Sequence, residues 1–281
     1  MIKVLKAGFY SSIQDMGRFG YQEYGVPYSG VMDVLSASMA NSLLGNDVNA
    51  AVIEITMTGP TLQFFKAITI CISGADISPQ LNKRSIKLNK AIQVKSGDVL
   101  SFGKLSKGFR CYLAVLGGFK TEKVMRSRSM YKGITAQFML YKDDELDHED
   151  VLTGVASAHA SIKVNASHYD SEVINVFKGP EFDLLSKDQQ KELFAKAYTI
   201  SKDNNRMAYQ LEATLKNDLK PIITSSVLPG SVQLTPSGKL IVLMRDCQTT
   251  GGYPRVLQLK ESAINVLSQK FNGQSILFKL V

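Results

Sequence analysis

The chain has 281 residues, a length that predicts two domains. Its content of 44% hydrophobic and 21% charged residues is that of a globular protein and argues against a disordered chain or a coiled coil. No stretch is long and apolar enough for a membrane helix or a secretory signal, so we expect a cytoplasmic protein with no membrane partner. The net charge of +8 favours a small anionic substrate, but basic runs interleaved with aromatic residues are absent and we expect no nucleic-acid partner.

Residues 11–33, SSIQDMGRFGYQEYGVPYSGVMD, form a polar segment rich in glycine. Ordered loops of this kind are common places for binding and catalytic groups. The alternative is a β-hairpin that leads into a helix and has no further role. From this loop we take Asp15 as a catalytic candidate. The substrate-binding candidates are Gln14, Arg18, Gly25, Pro27, Ser29 and Gly30.

Three segments predict helices. Asp33 can cap a helix formed by VLSASMANSLL, which Gly45 can end in a left-handed conformation. Ser186 and Gln189 have the spacing of a capping box at the start of a second helix. A third helix is predicted at 261–270.

Most other apolar runs are short, rich in β-branched residues and bounded by glycine, proline, asparagine or serine, which predicts strands. The runs lie at 52–57, 67–73, 91–102, 111–119, 172–177 and 239–246. Within 91–102, alternation on both sides of Ser96-Gly97-Asp98 predicts a hairpin. The chain is therefore expected to be mainly β, with a few short helices.

The segment from 141 to 171 is the best candidate for a domain boundary, because acidic residues there give way to small ones. We predict a first β domain at 1–165 and a second at 166–281, and strands may be drawn from both halves. Six carboxylates in eight positions of this segment repel one another, which favours a solvated loop over a metal site. The histidines lack zinc-ligand spacing and the cysteines are too sparse for a disulfide framework, so we expect buried thiols and no metal.

A second polar concentration, RDCQTTGGYPR at 245–255, directly follows the apolar run KLIVLM. Backbone amides and threonine hydroxyls at such a turn can converge on a carboxylate, a phosphate or an oxyanion. A tight hairpin whose glycines satisfy the turn is the alternative. The catalytic candidates here are Asp246, Gln248, Thr249 and Thr250, and the substrate-binding candidates are Gly251, Gly252 and Tyr253. Arg206 could add a guanidinium for bidentate binding of an oxyanion, although a surface arginine would have the same spacing.

The sequence contains no phosphate loop, GxGxxG fingerprint, GxSxG elbow or HExxH motif. The polar segments instead resemble one protein family, which comprises allophanate hydrolase subunit 2, the KipA-like proteins, the biotin-dependent carboxyltransferase subdomains A and B, and the C subunit of bacterial 5-oxoprolinase. The resemblance covers nearly the whole chain. It includes IQDMGRFGYQEYGVPYSGVMD at 13–33, ANSLLGNDVNAAVIEITMTGPTLQF at 40–64, YLAVLGGF at 112–119, NRM at 205–207 and LPGSVQLTPSGKLIVLMRDCQTTGGYPR at 228–255.

The resemblance implies two cyclophilin-like β-barrel domains and a KipI-like partner subunit. In 5-oxoprolinase, that partner and a third subunit are needed to open 5-oxoproline to glutamate with hydrolysis of ATP. The chain therefore resembles a subunit of an ATP-dependent amide-ring hydrolase, with ATP bound here or by a partner subunit. Phosphorylation of the lactam carbonyl would explain the need for ATP. Arg18, Arg206 and the turn at 248–252 would then stabilise a carboxylate or a phosphorylated intermediate.

Two other activities in the family stay open. A KipA-like regulator binds and neutralises a KipI-like inhibitor of a sensor kinase, whereas a carboxyltransferase component acts in urea degradation with biotin. Biotin would have to come from another chain, because no Met-Lys-Met attachment motif is present here. A homo-oligomer is compatible with either of these two activities. Convergence of the loop at 14–29 and the turn at 248–253 on one pocket would favour catalysis, and their separation would favour a binding role.

Overall fold

The computed structural model describes residues 1–149 and 167–281. The chain divides into two compact units, one made of Met1–Arg18 and Ser29–Asn165 and the other of Phe19–Tyr28 and Ala166–Val281. The predicted boundary between 165 and 166 lies outside the described residues, as does His159. Strands outnumber helices in both units, which confirms the mainly β prediction.

The first unit is built from two antiparallel sheets. Its strands are β1 (Ile2–Lys6), β2 (Tyr10–Gln14), β3 (Val52–Thr56), β4 (Thr61–Phe64), β5 (Ile68–Asp76), β6 (Pro79–Leu81), β7 (Arg84–Ser85), β8 (Ala91–Val94), β9 (Val99–Phe102), β10 (Lys107–Val115) and β11 (Glu145–Leu146). One sheet has the order β11-β1-β4-β9-β6-β7, and the other has the order β2-β3-β10-β5-β8.

The five-stranded sheet is buried on both faces. Because successive side chains of a strand point to opposite faces, Ile53 and Ile55 of β3 enter the core that also holds residues of the six-stranded sheet. Val52 points the other way and packs with helix α1 (Val34–Leu44). This second face explains why β3, β5 and β10 are almost continuously buried.

Helix α1 begins and ends as predicted. The Asp33 carboxylate accepts a hydrogen bond from Ser36 N at 3.1 Å, and Gly45 adopts a left-handed conformation at the C-terminus. The cap fixes the direction in which the preceding loop leaves the helix.

The predicted hairpin at 91–102 is wrong. β8 pairs with β5, whereas β9 pairs with β4 and β6 in the other sheet. Gly97 does supply a left-handed turn residue, with φ of +89°. The turn carries the chain from one sheet to the other. The prediction failed because alternation indicates a strand without specifying the strand with which it pairs.

The second unit contains a closed barrel and a separate two-stranded ribbon. Its strands are β12 (Val173–Lys178), β13 (Tyr198–Asn204), β14 (Ala208–Thr214), β15 (Ser225–Ser226), β16 (Ser231–Leu234), β17 (Lys239–Leu243), β18 (Thr250–Gly251), β19 (Arg255–Leu259) and β20 (Ser275–Leu280). The barrel order is β12-β19-β16-β17-β14-β13-β20, and β15 pairs with β18 in the ribbon. β20 runs parallel to β12, and the other barrel pairs are antiparallel.

Helices α2 (Ser167–Asp170), α3 (Lys187–Ala195) and α4 (Glu261–Ser268) complete the second unit, together with short 3-10 turns at Gln22–Tyr24 and Phe182–Leu184. The capping box of Ser186 and Gln189 at the start of α3 is confirmed. Helix α4 lies within the predicted range. None of the helices in the described parts of the chain has the length and apolar character that a membrane crossing requires.

The cysteines are free and buried, as the sequence predicted. They are Cys71, Cys111 and Cys247. Burial raises the pKa of Cys71 and Cys247 to about 12, so both are protonated thiols at neutral pH. They therefore act as small core residues.

Candidate functional site

Asp15 follows β2 and is saturated with hydrogen bonds. Its Oδ1 accepts from Gly17 N at 2.9 Å and from the hydroxyls of Ser127 and Ser129 at 2.7 Å each. Its Oδ2 accepts from Arg128 N at 2.7 Å. These bonds tie the start of the glycine-rich loop to residues 127–129. The arrangement fits a structural anchor, and a catalytic role for Asp15 stays a prediction.

Gln14 and Arg18 are also buried and hold backbone groups. Gln14 Nε2 donates to Met130 O at 3.1 Å, and Gln14 Oε1 accepts from Gly30 N at 3.2 Å. Arg18 is 1% exposed, and its Nη2 donates to Ser129 O at 2.9 Å. Both side chains therefore shape the loop, and substrate binding by either one stays a prediction.

Ser29 and Gly30 form the tightest part of the loop. Ser29 has φ of +55°, which is unusual for a residue with a side chain, and its buried Oγ has no hydrogen-bond partner among the described residues. A Cβ on Gly30 would lie 2.9 Å from Gly17 Cα, so only glycine fits where the two stretches cross. Strain of this kind is found at binding sites.

A buried hydrogen-bond network, which was not predicted from the sequence, holds Met32 and Asp33 after the loop. Glu54 Oε2 accepts hydrogen bonds from Met32 N at 2.7 Å and from the Tyr112 hydroxyl at 2.9 Å. The same hydroxyl accepts from Asp33 N at 2.8 Å, and Arg110 Nε lies 3.8 Å from Glu54 Oε1. Burial, reinforced by Glu54, raises the pKa of Tyr112. The available signal was a glutamate inside the apolar run VIEITM.

In the second unit, Arg206 and Asp246 form a buried ion pair with two hydrogen bonds, 2.8 Å from Nε to Oδ2 and 3.0 Å from Nη2 to Oδ1. Arg206 precedes β14, and Asp246 follows β17. Backbone bonds reinforce the connection, because Asp246 N donates to Arg206 O at 2.9 Å. The carboxylate thus occupies two of the donors that were predicted to bind an oxyanion, and a direct role for either residue at substrate stays a prediction.

The segment from Gln248 to Gly252, which we call the Thr-Thr-Gly-Gly turn, is held by backbone pairing with residues 222–227. Thr249 O accepts from Val227 N at 3.0 Å, and Gly252 O accepts from Ile222 N at 2.9 Å. Between them, β18 pairs with β15. The alternative of a tight hairpin is therefore wrong, because the turn pairs with an earlier segment rather than folding back on β17.

A side chain at Gly251 would require the buried Gln233 amide to move. A Cβ at this position would lie 2.5 Å from Nε2 of Gln233 and 3.3 Å from Val227 Cγ1. Gln233 lies on β16 and is 2% exposed, and its Nε2 has no hydrogen-bond partner among the described residues. Gln233 is not among the site residues predicted from the sequence.

Gln248, at the start of the turn, has an unsatisfied acceptor, whereas Gln233 has an unsatisfied donor, among the described residues. The Gln248 side chain is half-buried, and its Oε1 is a buried acceptor with no hydrogen-bond partner in the described parts of the chain. Thr250 and Tyr253 are exposed. The turn therefore combines accessible side chains with the Gln248 amide, and its Gly251 lies against the buried Gln233 amide of β16. Each amide has one buried atom without a partner among the described residues.

A second ion pair fixes the far end of the turn. Arg255 donates to both carboxylate oxygens of Glu181, at 2.7 and 2.9 Å, and also to Ser226 O at 2.8 Å. These hydrogen bonds lower the pKa of Glu181 and raise that of Arg255. The ribbon is thus anchored to the start of β19 by a charge-assisted contact.

The predicted site residues are distributed over both units. Gln14, Arg18, Ser29 and Gly30 belong to the first unit, whereas Gly25 and Pro27 belong to the second, together with the Thr-Thr-Gly-Gly turn. Convergence of the early loop and the late turn on one pocket stays a prediction.

The first unit also contains a cavity of about 300 Å³ that no predicted site residue lines. Its wall includes Arg128, Glu122, Asp144 and Glu145. With three carboxylates and one guanidinium, it is poorly suited to an anionic substrate.

Comparison with known proteins agrees with the resemblance seen in the sequence. A family model described as carboxyltransferase domain, subdomain A and B, matches residues 24–280. The C subunit of Escherichia coli 5-oxoprolinase is 31% identical over 99% of this chain and 90% of its own length. Its counterpart in Haemophilus influenzae is 29% identical over 100% and 91%. A Saccharomyces cerevisiae urea amidolyase is 40% identical over 46% of this chain and 7% of its own length.

Solved structures share the fold. The crystal structure of TTHA0988 superimposes with a TM-score of 0.90 at 24% identity, covering 99% of this chain and 56% of the other. Kluyveromyces lactis urea carboxylase gives a TM-score of 0.86 at 26% identity, covering 100% of this chain and 27% of the other. The chain thus spans about half of the first structure and about a quarter of the second.

Proposed function

Because the chain belongs to the family of carboxyltransferase domains with subdomains A and B, we propose that it is a subunit of an ATP-dependent amide-ring hydrolase, 5-oxoprolinase, which opens 5-oxoproline to glutamate. The observation that carries this proposal is similarity to the 5-oxoprolinase C subunits of two bacteria over the whole chain and nine-tenths of each relative. The urea amidolyase similarity in sequence extends over less than half of the chain.

The geometry of the Thr-Thr-Gly-Gly turn supports binding of an amide. The nearby arginines, Arg206, Arg245 and Arg255, are engaged by the carboxylates of Asp246, Glu261 and Glu181. Within the turn itself, the buried side-chain atom without a partner among the described residues belongs to the uncharged Gln248. Such a site suits the neutral amide of a lactam ring, while the exposed hydroxyl of Thr250 is available to the carboxylate of the substrate.

ATP fits the described part of the turn poorly, because the three nearby guanidinium groups, of Arg206, Arg245 and Arg255, are paired with carboxylates. We therefore assign ATP to a partner subunit, in keeping with the proposed KipI-like partner and third subunit. This chain would bind and orient the small anionic substrate. Gln248, Thr249 and Thr250 are the residues proposed to face it.

The test is reconstitution. The chain is purified alone and with its KipI-like partner and third subunit, and ATP hydrolysis that depends on 5-oxoproline is measured together with glutamate release. We expect activity only in the complete mixture, and a loss of at least tenfold in kcat/KM on Gln248→Leu or Thr250→Val. A complete mixture that hydrolyses no 5-oxoproline would contradict the proposal, and unchanged kcat/KM in both variants would remove these two residues from it.

Carboxyl transfer is the second candidate, and the similarity to urea carboxylase over the full chain favours it. In that case biotin arrives on another chain, and the amide at the turn is urea. Adding carboxylated biotin carrier and urea to the same mixture separates the candidates, because only a carboxyltransferase would form carboxylated urea. A KipA-like regulator would show neither reaction and would instead bind a KipI-like protein.

A further inference from the structure

We propose that the cavity of the first unit binds a small organic cation, an alkylammonium or alkylguanidinium group with an apolar stem. The cavity has a volume of about 300 Å³, at the lower end of the range for small-molecule sites. No residue of the proposed hydrolase site lines it, so this inference is independent of the proposed function.

The base of the cavity is apolar. Met130 and Leu146, which line it, are 7% and 3% exposed and belong to the hydrophobic core of the first unit. Four other lining residues are exposed, which brings the cavity to the surface. They are Glu122, Ala136, Gln137 and Glu145. A ligand that fills the cavity therefore places an apolar part against the core and a polar part near the opening.

The charge of the wall selects the sign of the ligand. The lining residues include three carboxylates and one guanidinium, which leaves an excess of negative charge. The Asp144 carboxylate is already engaged, because it accepts from Gln137 Nε2 at 3.1 Å and from Tyr141 N at 2.7 Å. The carboxylates of Glu122 and Glu145 have no ion-pair or hydrogen-bond partner among the described residues, so they are the groups that a cation would meet.

Carboxylates next to the cavity, by contrast, are neutralised by lysines. Lys3 Nζ lies 3.3 Å from Asp143 Oδ1, and Lys120 Nζ lies 2.9 Å from Glu149 Oε1. The chain as a whole carries a net charge of +8. Two glutamates without a partner in the described part of such a basic chain leave a local demand for positive charge, which an external cation at the cavity would meet.

A metal ion does not fit this arrangement. In residues 1–149 and 167–281, no three acidic, histidine or cysteine side chains come close enough together to hold a metal ion. Oxygen ligands must lie within about 2.6 Å of a bound Ca²⁺ or Mg²⁺ ion. The carboxylates instead surround a much larger space. They suit a cation that carries its charge on a larger group at the end of a stem.

The wall of the cavity is fixed by contacts within the first unit. Arg128 N donates to Asp15 Oδ2 at 2.7 Å, and Arg128 Nη1 donates to Thr121 O. Glu145 and Leu146 form β11, which pairs with β1. Because these lining residues are held by the protein itself, little ordering entropy is lost when a ligand binds.

The experiment measures binding to the purified full chain by calorimetry. The probes are n-butylammonium and n-butylguanidinium, with 1-butanol and butyrate as neutral and anionic molecules of similar size and Mg²⁺ as the metal. Glu122→Gln and Glu145→Gln each remove one charge while keeping the side-chain shape. Glu149→Gln is the matched control, because it makes the same change at a residue that does not line the cavity. Ala136→Phe adds a ring to the wall without changing its charge.

We expect both organic cations to bind at least tenfold more tightly than 1-butanol. Glu122→Gln and Glu145→Gln should each raise the Kd about threefold, and the double variant about tenfold. Ala136→Phe should also raise the Kd at least tenfold, whereas Glu149→Gln should leave it unchanged. The thermal unfolding midpoint should not fall in the variants at Glu122 and Glu145, because both residues are exposed.

Four results would overturn the inference. They are no binding of either organic cation to wild type, equally tight binding of 1-butanol, tighter binding of Mg²⁺, and an equal effect of Glu149→Gln. Failure of the reconstituted complex to open 5-oxoproline would contradict the proposed function alone, since the cation is measured on the isolated chain.

Repeating the titration on the reconstituted complex distinguishes two sources of the cation. Retained binding would assign the site to a free amine or guanidine. Loss of binding, together with weaker assembly of the double variant, would assign it to a lysine or arginine side chain of a partner subunit. Loss of binding with unchanged assembly of the double variant would overturn the inference, because the cavity would then be covered without its carboxylates being used.

Discussion

Arg206 and Asp246 contact each other through two hydrogen bonds, although 39 residues lie between them in the chain. Both side chains belong to buried residues. The pair connects the bend before β14 to the turn after β17, and it sets the position from which the Thr-Thr-Gly-Gly turn starts.

Asp246→Asn is expected to lower the free energy of unfolding by about 3–5 kcal/mol, because the Arg206 charge would stay buried without its counter-ion. Urea denaturation of the purified chain measures the loss. Asp183→Asn is the control, since the Lys178–Asp183 pair is 3.7 Å long and largely exposed, and should change stability by less than about 1 kcal/mol. Unchanged stability with abolished turnover would instead identify Asp246 as a catalytic residue.

Gly251→Ala is expected to destabilise the chain by about 1–3 kcal/mol, because the new methyl group would overlap the Gln233 amide. Combining it with Gln233→Ala should recover most of the stability. Gly252→Ala is milder, since the nearest atom to a Cβ there is Ile222 O at 3.2 Å. Thermal melts of five chains test this, namely wild type, Gly251→Ala, Gln233→Ala, the double variant and Gly252→Ala. Additive losses in the double variant would disprove the contact.

Asp15→Asn is expected to cost about 3 kcal/mol of stability, because an amide nitrogen would face groups that themselves donate hydrogen bonds. Asp47→Asn provides the comparison, as the Asp47 carboxylate accepts from Asn49 N at 2.8 Å in an exposed turn. That change should cost less than about 1 kcal/mol. A stable Asp15→Asn chain that forms an inactive complex would contradict the anchoring role.

Stability is expected to fall in acid partly through Glu181. Hydrogen bonds from Arg255 lower the pKa of this carboxyl group from its ordinary value of 4.5. A lowered folded-state pKa contributes stability that is present above about pH 4.5 and lost as the pH falls through the folded value. Unfolding free energies at pH 6, 4.5 and 3 should therefore fall more steeply for wild type than for Glu181→Gln. Parallel curves for the two chains would show that the Arg255 contact contributes no pH dependence.

Local signals were enough to predict helices α1, α3 and α4 and a minority of the strands in the described residues, namely β3, β5, β8, β9, β10, β12 and β17. Asp33 and Gly45 bound α1, and Ser186 with Gln189 starts α3, because caps involve residues only a few positions apart. The partner of each strand could not be predicted from such local signals. The wrong hairpin at 91–102 shows that alternation leaves open which sheet each strand joins.

The candidate site was predicted in part. Glycine-rich polar segments led to the turn and the loop, but not to the buried residues that support them. Gln233 lies between Val232 and Leu234, a pattern that predicts a solvent-facing glutamine on a strand. The close approach of Gly251, which comes from the ribbon, buries it instead. Glu54 and Tyr112 meet through strand pairing, which no local pattern contains.

The barrel closes through β20, which pairs with β12 on one side and with β13 on the other. β12 and β13 are synthesised before β20, so each of them has one unpaired edge until β20 has left the ribosome. An open edge is a template for pairing with another nascent chain, so this unit should depend on chaperones that shield it. Deleting 275–280 should accordingly give aggregates rather than a smaller, open barrel.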